Sequence, residues 1–284
     1  MMLGSWARST HEGRSGDGLP NSEHRIGAGW AQWNFSAQLG IVERFAFDVM
    51  MPLRLTTLNV ASIGPGGRAL DVGETIHRDQ SVFSAGDMLF STRWGLVRNE
   101  DVRGWTLDLN LGVNLPTGRV RPDPLHPDNE QGVEQLSHGS GTVDPSYGLE
   151  SYYNAGKWGL TTFATARVPV ATNRYGNQAA RVVQGGLGVA TGFGLVKWRF
   201  LFQQEVFGAG PVRWGDVEAP STGRVSLLAS AGAFFQPRPR LGVHAKVSVP
   251  YYTFARDGDF LWPVIASVGI NYTFHLVPEE KHHH

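Results

Sequence analysis

The sequence contains no cysteine among its 284 residues. Neither a disulfide framework nor a thiolate metal site can therefore form. It also has no run of about 18 apolar residues, the length at which a transmembrane helix becomes a candidate. The formal net charge is zero, so no strong electrostatic attraction to nucleic acid exists, and no nucleic-acid partner is expected.

The two ends of the sequence carry little structural signal. Met1–Gly4 lacks the basic and apolar regions of a signal peptide, so export requires a signal peptide beyond this sequence. Lys281–His284 resembles part of a purification tag and is left out of any metal argument. We expect residues 277–284 to form a disordered tail and residues 1–276 to form a single domain.

Apolar residues recur at every second position of several long segments. In Val264–Phe274 the alternate residues are all apolar, and those between them include Ser267, Asn271 and Thr273. A period of two indicates a β-strand with one apolar and one polar face. The same alternation recurs in Phe45–Leu55, Trp105–Leu115, Leu160–Val170, Val196–Val206, Val225–Phe235 and Val243–Tyr251. These segments match tilted transmembrane strands of roughly 9–11 residues, whereas the average globular strand has about 5–6.

The connections between these segments fall into two classes that alternate along the chain. Short turns are predicted near Gly40–Arg44, Arg98–Arg103, Asn154–Lys157, Gly192–Gly194 and Pro237–Arg240. Longer polar loops are predicted at His11–Ser22, Asn59–Gly86, Thr117–Val143, Ala171–Ala179, Gly208–Thr222 and Ala255–Phe260. Short periplasmic turns and longer extracellular loops are typical of outer-membrane barrels. With Met2–Thr10 as a short first strand, the predicted count is about 12 strands.

Charged residues in the middle of the polar strand faces leave two architectures open. In a soluble β-sandwich these charges would face water, and the apolar faces would form a core. In a membrane barrel they would line a hydrated lumen, and the apolar faces would contact lipid. Strand length and loop rhythm favour the barrel. We therefore predict an all-β, antiparallel, up-and-down transmembrane β-barrel in the outer membrane of a Gram-negative bacterium, with membrane lipid as a partner.

Aromatic residues near strand ends are candidates for girdles at the two membrane interfaces. The predicted set is Trp94, Trp105, Trp158, Tyr251, Trp262, Tyr272 and Phe274. The alternative is that these aromatics are scattered as in any β protein, where they are enriched in strands. Lipid-facing and partner-facing apolar residues share one pattern, so no oligomeric state is predicted.

Four short pieces of sequence carry a family resemblance. They are Gly40–Leu53, Gly86–Trp94, Leu109–Gly118 and Gly139–Pro145, and their order along the chain also matches. Together they resemble the bacterial outer-membrane family assigned as transporters of the MetA pathway of phenol degradation. The resemblance implies a closed barrel, distantly similar to channels for fatty acids and aromatic hydrocarbons. The long Asn59–Gly86 loop is a departure without a counterpart, and the N-terminal segment is too short for a plug domain.

Residues capable of catalysis or metal binding are scarce. The histidines outside the tag show no His-x-x-x-His spacing, so no zinc site is indicated, and no metal or other cofactor is expected. No Gly-x-Ser-x-Gly motif occurs. Ser137-His138 beside Gly139-Ser140 could form the Ser–His pair of a barrel lipase or protease, but two polar loop residues are the simpler interpretation. We predict no catalytic residues and a protein that is not an enzyme.

The polar strand faces supply the candidate lumen-lining residues. They are Asp48, Arg54, Arg93, Asp108, Glu150, Arg167, Lys197, Arg199, Glu205, Arg224, His244 and Lys246. Cations outnumber carboxylates in this set, and rings of cationic side chains favour anions in a pore. This predicts a porin-like channel for a small solute, organic or anionic. Two alternatives remain open: a lumen closed by Arg–carboxylate pairs, and a structural or adhesive barrel that acts through residues 59–86 and 117–143.

Overall fold

The computed structural model describes residues 2–12, 23–63, 69–70, 80–98, 103–120, 137–193, 198–218, 222–238, 240–256, 259–261 and 264–274. None of these ranges forms a helix with the length and hydropathy needed to cross a bilayer. The strands are β1 (Met2–Glu12), β2 (Glu23–Val42), β3 (Phe45–Ile63), β4 (Ala69–Leu70), β5 (Gln80–Ala85), β6 (Met88–Val97), β7 (Arg103–Leu115), β8 (Asp144–Ala155), β9 (Trp158–Arg167), β10 (Asn177–Gln178), β11 (Val182–Phe193), β12 (Trp198–Ala209), β13 (Arg213–Trp214), β14 (Val217–Glu218), β15 (Arg224–Arg238), β16 (Leu241–Ala255), β17 (Asp259–Leu261) and β18 (Ile265–Tyr272).

The strands form a closed antiparallel barrel. The sheet closes because β1 pairs with β2 on one side and with β17 and β18 on the other. Two wall strands are interrupted: β5 and β6 both pair with β3, and β17 and β18 both pair with β1. With each interrupted strand counted once and the two-residue strands left aside, the described wall contains twelve strands. The all-β barrel class predicted from the sequence is confirmed.

The barrel is apolar outside and polar inside. The alternate residues of the last strand that the sequence marks as apolar lie outside, where Ile270 is 72% and Phe274 is 76% exposed. Ser267, which lies between Ala266 and Val268, is buried. Leu228 is the one large aliphatic side chain buried among the described residues, whereas buried polar side chains are frequent. This arrangement suits lipid on the outside and a polar lumen.

The adjacent tyrosines of β16 show how the strand keeps this pattern through an irregularity. Leu227 pairs with Tyr252 and Leu228 pairs with Pro250, so Tyr251 is an extra residue in a β-bulge. Tyr251 and Tyr252 are both exposed on the outside. The extra residue lets Tyr251 and Tyr252, although adjacent in sequence, share the outer face, while the alternation of β15 continues unbroken with Ser226, Leu228 and Ser230 buried.

Both predicted boundaries of the loop Asn59–Gly86 are wrong. Strand β3 continues to Ile63 in register with β2, and Gln80–Ala85 forms β5. These extensions do not show as apolar alternation in the sequence, because a strand that continues beyond the membrane no longer has lipid on one side. The two faces then lose their apolar contrast, while backbone pairing continues. The first strand is likewise longer than predicted and ends at Glu12.

The remaining connections follow the predicted alternation. The pairs β2–β3, β6–β7, β8–β9, β11–β12 and β15–β16 are separated in sequence by two to five residues, and the strand ends that these short connections join lie at one end of the barrel. The strand ends that the longer connections join lie at the other end. The longer connections include a small separate sheet of β10, β13 and β14. The predicted tail, residues 277–284, lies outside the described residues, and the domain boundary at residue 276 stays a prediction.

Candidate functional site: a constricted polar lumen

A segment between β7 and β8 folds back into the barrel. Residues 137–143, named here the lumen loop, contact inward side chains of β3 and β5 and the connection that follows β9. His138, Ser140 and Thr142 of this loop are buried. The lumen loop therefore occupies part of the cross-section that a barrel of this size would otherwise leave open.

Asp87 joins separate parts of the chain at the lumen loop. It lies at the break between β5 and β6, where its carboxylate accepts hydrogen bonds from the backbone N–H of Gly118 (3.0 Å) and of Ser140 (2.7 Å). A Cβ on Gly118 would lie 2.6 Å from the Cα of Gly139, so the two backbones touch in a way that only glycine permits. Three of the four sequence pieces that carry the family resemblance thus meet at one carboxylate.

His138 anchors the lumen loop to the barrel wall. Its Nδ1 lies 2.7 Å from Ser84 Oγ, and its Nε2 lies 3.0 Å from Thr56 Oγ1. Its backbone carbonyl accepts a hydrogen bond from Arg54 Nη1 at 3.2 Å. Because wall hydroxyls engage both ring nitrogens, the Ser137–His138 contact that a hydrolase would need is not formed.

Burial and nearby positive charge act together on this histidine. Burial lowers the pKa of His138 from its ordinary value of 6.5, and the positive charge of Arg54 lowers it further. The hydrogen bond with Ser84 opposes this shift, and Arg119 adds to it. Asp87 is the carboxylate near His138 and Arg54, and it accepts hydrogen bonds from the backbone N–H groups of Gly118 and Ser140. The docked loop therefore favours neutral His138.

We expect the lumen loop to be less firmly docked as the pH falls below 6.5. Undocked His138 takes up a proton at its ordinary pKa, whereas docked His138 takes up a proton only at a lower pH. The docked state therefore has its full stability above 6.5 and loses it as the pH falls towards the lowered pKa. Hydrogen–deuterium exchange of backbone amides 137–143, corrected for intrinsic rates, should show protection decreasing towards about pH 5. His138→Gln, which does not titrate, should show a flat profile; a flat profile in the unmodified protein would contradict the prediction.

Two cavities lie within the lumen and meet at shared residues. The first has a volume of about 300 Å³ and lies beside the lumen loop. The second has a volume of about 480 Å³ and is bordered by the strands β2, β3, β6, β7, β8 and β9. Residues that line both cavities are Met50, Asn114 and Arg167. The two spaces therefore adjoin within the barrel.

Several predicted charged residues form ion pairs across neighbouring strands. Arg93 Nε lies 3.9 Å from Asp48 Oδ2 beside the second cavity. Asp108 pairs with Arg98, a residue that the sequence analysis missed because it follows the end of its strand. Asn110 Nδ2 donates a hydrogen bond to Glu150 Oε1 at 3.2 Å. Neighbouring strands thus neutralise part of the charge on the polar face.

Glu205 and Lys246 form a buried pair on another part of the wall. Lys246 Nζ lies 2.5 Å from Glu205 Oε1, and the Glu205 side chain is 3% exposed. The Glu205 carboxylate also accepts hydrogen bonds from Ser230 Oγ and from Gln184 Nε2. The side chains that satisfy this carboxylate therefore come from β11, β15 and β16, and together with Glu205 on β12 they connect four consecutive wall strands.

The remaining predicted residues lie at separate places. Arg199 lines a cavity of about 240 Å³ beside two short-turn connections, His244 Nδ1 lies 3.2 Å from Asn271 Oδ1, and Arg224 stacks on the ring of Phe207. Lys197 lies outside the described residues. The set was thus predicted as one lumen lining, but its members divide among two adjoining cavities, the Glu205 pair and these separate positions.

The predicted girdle aromatics that the structure describes are all exposed. Near the short-turn end, rings pair between adjacent strands: Phe45 with Trp94 at 4.7 Å, and Trp105 with Tyr153 at 4.9 Å between centroids. Trp158 lies near the same end, as do Tyr272 and Phe274, whose centroids are 4.6 Å apart. Tyr251 lies towards the opposite end of β16, and Trp262 lies outside the described residues. The girdle role itself stays a prediction.

Comparisons with known proteins agree with the fold. No protein-family model matches the sequence, and no curated protein matches it. The solved structure of the COG4313 outer membrane channel from Pseudomonas putida F1 is similar, with a TM-score of 0.59 and 11% identity over 96% of this chain and 95% of that chain. A Pseudomonas aeruginosa FadL homologue has a TM-score of 0.45 and 11% identity over 96% and 89% of the two chains. The NanC porin has a TM-score of 0.45 and 8% identity over 95% and 100%.

These likenesses concern the fold. A closed antiparallel barrel with an apolar exterior and a polar lumen defines the class of outer-membrane β-barrel proteins, because a closed sheet leaves no unpaired backbone edge in lipid. The location predicted from the sequence, the outer membrane of a Gram-negative bacterium, is confirmed by this fold.

Proposed function

We propose that this protein is an outer-membrane channel through which small solutes pass, with a preference for anions. The observation that carries the proposal is the pair of adjoining lumen cavities, about 300 and 480 Å³, with Arg167 lining both. A solute that moves from one cavity to the other would pass this guanidinium. Fixed positive charge along a narrow passage lowers the barrier for anions and raises it for cations.

The distribution of charge supports the anion preference. Carboxylates at the second cavity and at the Glu205 site have cationic or amide partners, as in the Asp48–Arg93 and Glu205–Lys246 pairs. Among the described residues, Arg54 and Arg167 lie within ion-pair distance of no carboxylate. Positive charge that no ion pair compensates therefore lies beside the lumen loop.

The family resemblance of the sequence suggests the kind of cargo. The pieces Gly40–Leu53 and Gly139–Pro145 resemble transporters assigned to phenol degradation, which favours a small organic solute. This cargo is a proposal that rests on the short sequence pieces.

We expect the channel to be anion-selective by roughly threefold when the reversal potential is measured across a planar bilayer in a potassium chloride gradient. Raising the salt concentration on both sides should reduce this selectivity, because counter-ions screen the fixed charges. A reversal potential of the opposite sign, which reports cation selectivity, would refute the anion preference.

A closed barrel that acts through its extracellular loops is the second candidate. It is favoured by the hydrogen bonds that fasten the lumen loop to Asp87, Ser84 and Arg54. A folded barrel, identified by heat-modifiable gel mobility, that shows no conductance would support this alternative. Discrete conductance steps would exclude it.

A further inference from the structure

Two arginines line the cavity beside the lumen loop. Among the described residues, neither of them donates a hydrogen bond to a carboxylate. Arg54 Nε donates to Gln32 Oε1 at 2.8 Å, and Arg54 Nη1 donates to the carbonyl of His138. Both acceptors are neutral. They fix the plane of the Arg54 guanidinium at the cavity, and the opposite charge that acts on it is that of Asp87, which forms no ion pair with it.

Arg167 contributes a second cation to the same cavity. Its Nε is buried and has no hydrogen-bond partner among the described residues. The charges of Arg167 and Arg54 are close enough to repel each other. Burying a guanidinium N–H without an acceptor is costly, and a like charge nearby adds to this cost. An anion between the two guanidinium groups would remove both penalties.

The charge of the cavity indicates how much negative charge it would accept. Asp87 is the one carboxylate among the described lining residues, against two arginines. The Asp87 oxygens already accept backbone hydrogen bonds from the lumen loop. His138 is held neutral at the same place. One unit of positive charge therefore remains, which matches a single carboxylate.

Apolar side chains also line the cavity, next to Arg54 on β3 and on the connections beyond β9 and β12. They are those of Met50, Pro52 and Val212, together with Ala179 and Ala180. A volume of about 300 Å³ is at the lower end of the range for small-molecule sites. The cavity therefore offers both cationic and apolar side chains at a size that suits a compact ligand.

We propose that this cavity is a binding site for a small organic monocarboxylate, whose carboxylate lies between Arg54 and Arg167 and whose apolar part contacts Met50, Pro52 and Val212. The planar fork of an arginine donates two parallel hydrogen bonds to a carboxylate, which a point charge cannot reproduce. The inference rests on the proposed function because the site lies on the suggested solute path. It assigns the substrate class: apolar organic acids in preference to inorganic anions.

Sodium benzoate is the probe for this site, and benzamide is its neutral control of nearly equal shape. Ligand-observed NMR with the folded barrel in detergent micelles, against empty micelles, should give a benzoate dissociation constant at least tenfold lower than that of benzamide. Arg167→Gln should weaken benzoate binding by roughly tenfold or more, because it removes a charge-assisted hydrogen bond. Arg167→Lys, which keeps the charge but loses the fork, should recover only part of the affinity.

Arg199→Gln is the matched control, because it removes the same charge from the barrel near the short-turn end. It should leave benzoate affinity within about twofold of the unmodified protein. Equal binding of benzoate and benzamide, equal losses in the Arg167 and Arg199 variants, or displacement of benzoate by equimolar chloride would each overturn the proposal.

Conductance separates this inference from the proposed function. A conducting channel that benzoate neither binds nor blocks would keep the function and refute the site. A silent barrel that binds benzoate through Arg167 would keep the site and refute the passage. Binding is measured without a membrane current, so the site is decided in both cases.

Discussion

Replacing Asp87 by alanine is expected to release the lumen loop and to raise the single-channel conductance severalfold. The variant loses the hydrogen bonds from Gly118 N–H and Ser140 N–H to a charged acceptor. Each is worth about 1.5–3 kcal/mol, so the docked loop loses roughly 3–6 kcal/mol. That is enough to shift a docked segment towards its undocked state. The measurement is single-channel recording in a planar bilayer, with heat-modifiable mobility as the check on folding.

Asp108→Ala is the control for this experiment. It removes the same kind of side-chain carboxylate, but Asp108 pairs with Arg98 near a short turn, away from the described residues of the lumen loop. Its conductance should stay close to that of the unmodified protein. Protease added on the loop side should cleave residues 137–143 faster in Asp87→Ala alone. Unchanged conductance and unchanged cleavage in Asp87→Ala would show that other contacts hold the loop.

Replacing Glu205 by leucine is expected to destabilise the barrel by about 3 kcal/mol, the lower end of the range for a broken buried pair, because Lys246 keeps some contact with solvent. The Glu205 carboxylate is almost fully buried, and it neutralises Lys246 while accepting bonds from Ser230 and Gln184. Without it, the ammonium of Lys246 stays in the lumen wall with no opposite charge. Urea unfolding of the barrel in lipid vesicles measures the loss.

The double variant Glu205→Leu with Lys246→Met gives the matching control. Removing both charges together leaves neither one unpaired, and such replacements are often neutral in stability. The double variant should therefore be more stable than Glu205→Leu alone. If the single variant unfolds at the same urea concentration as the unmodified protein, the buried pair contributes nothing to the stability of the wall.

Much of the fold could be predicted from local sequence because the environment of each strand has a period of two. The alternation in Val264–Phe274 identified the outward residues, and Ile270 and Phe274 are exposed as that pattern requires. The same pattern predicted the twelve-stranded wall. It failed at Asn59–Ile63, where the strand extends beyond the region in which apolar contrast marks it.

The candidate site could be predicted only in part. Alternation places Arg54 and Arg167 on the polar face, but it does not indicate which charges meet. The contacts of Asp87 with Gly118 and Ser140 span 31 and 53 residues of sequence. They depend on how a loop returns into the barrel, and no periodic pattern records that path. The pairing of Asp108 with Arg98 depends on a register shift between Gly95 and Val97. The sequence pattern does not indicate this shift either.

The sequence by itself determined the class of this protein: an antiparallel barrel with lipid outside and polar side chains inside. The reason is that each strand residue reports on which side of the wall it lies, and the alternation is repeated along the chain. Only the tertiary structure decided the interior. Strand register and the return of the lumen loop bring distant residues together. They pair Asp48 and Glu205 with cations and place Arg54 and Arg167 at one cavity with a net positive charge.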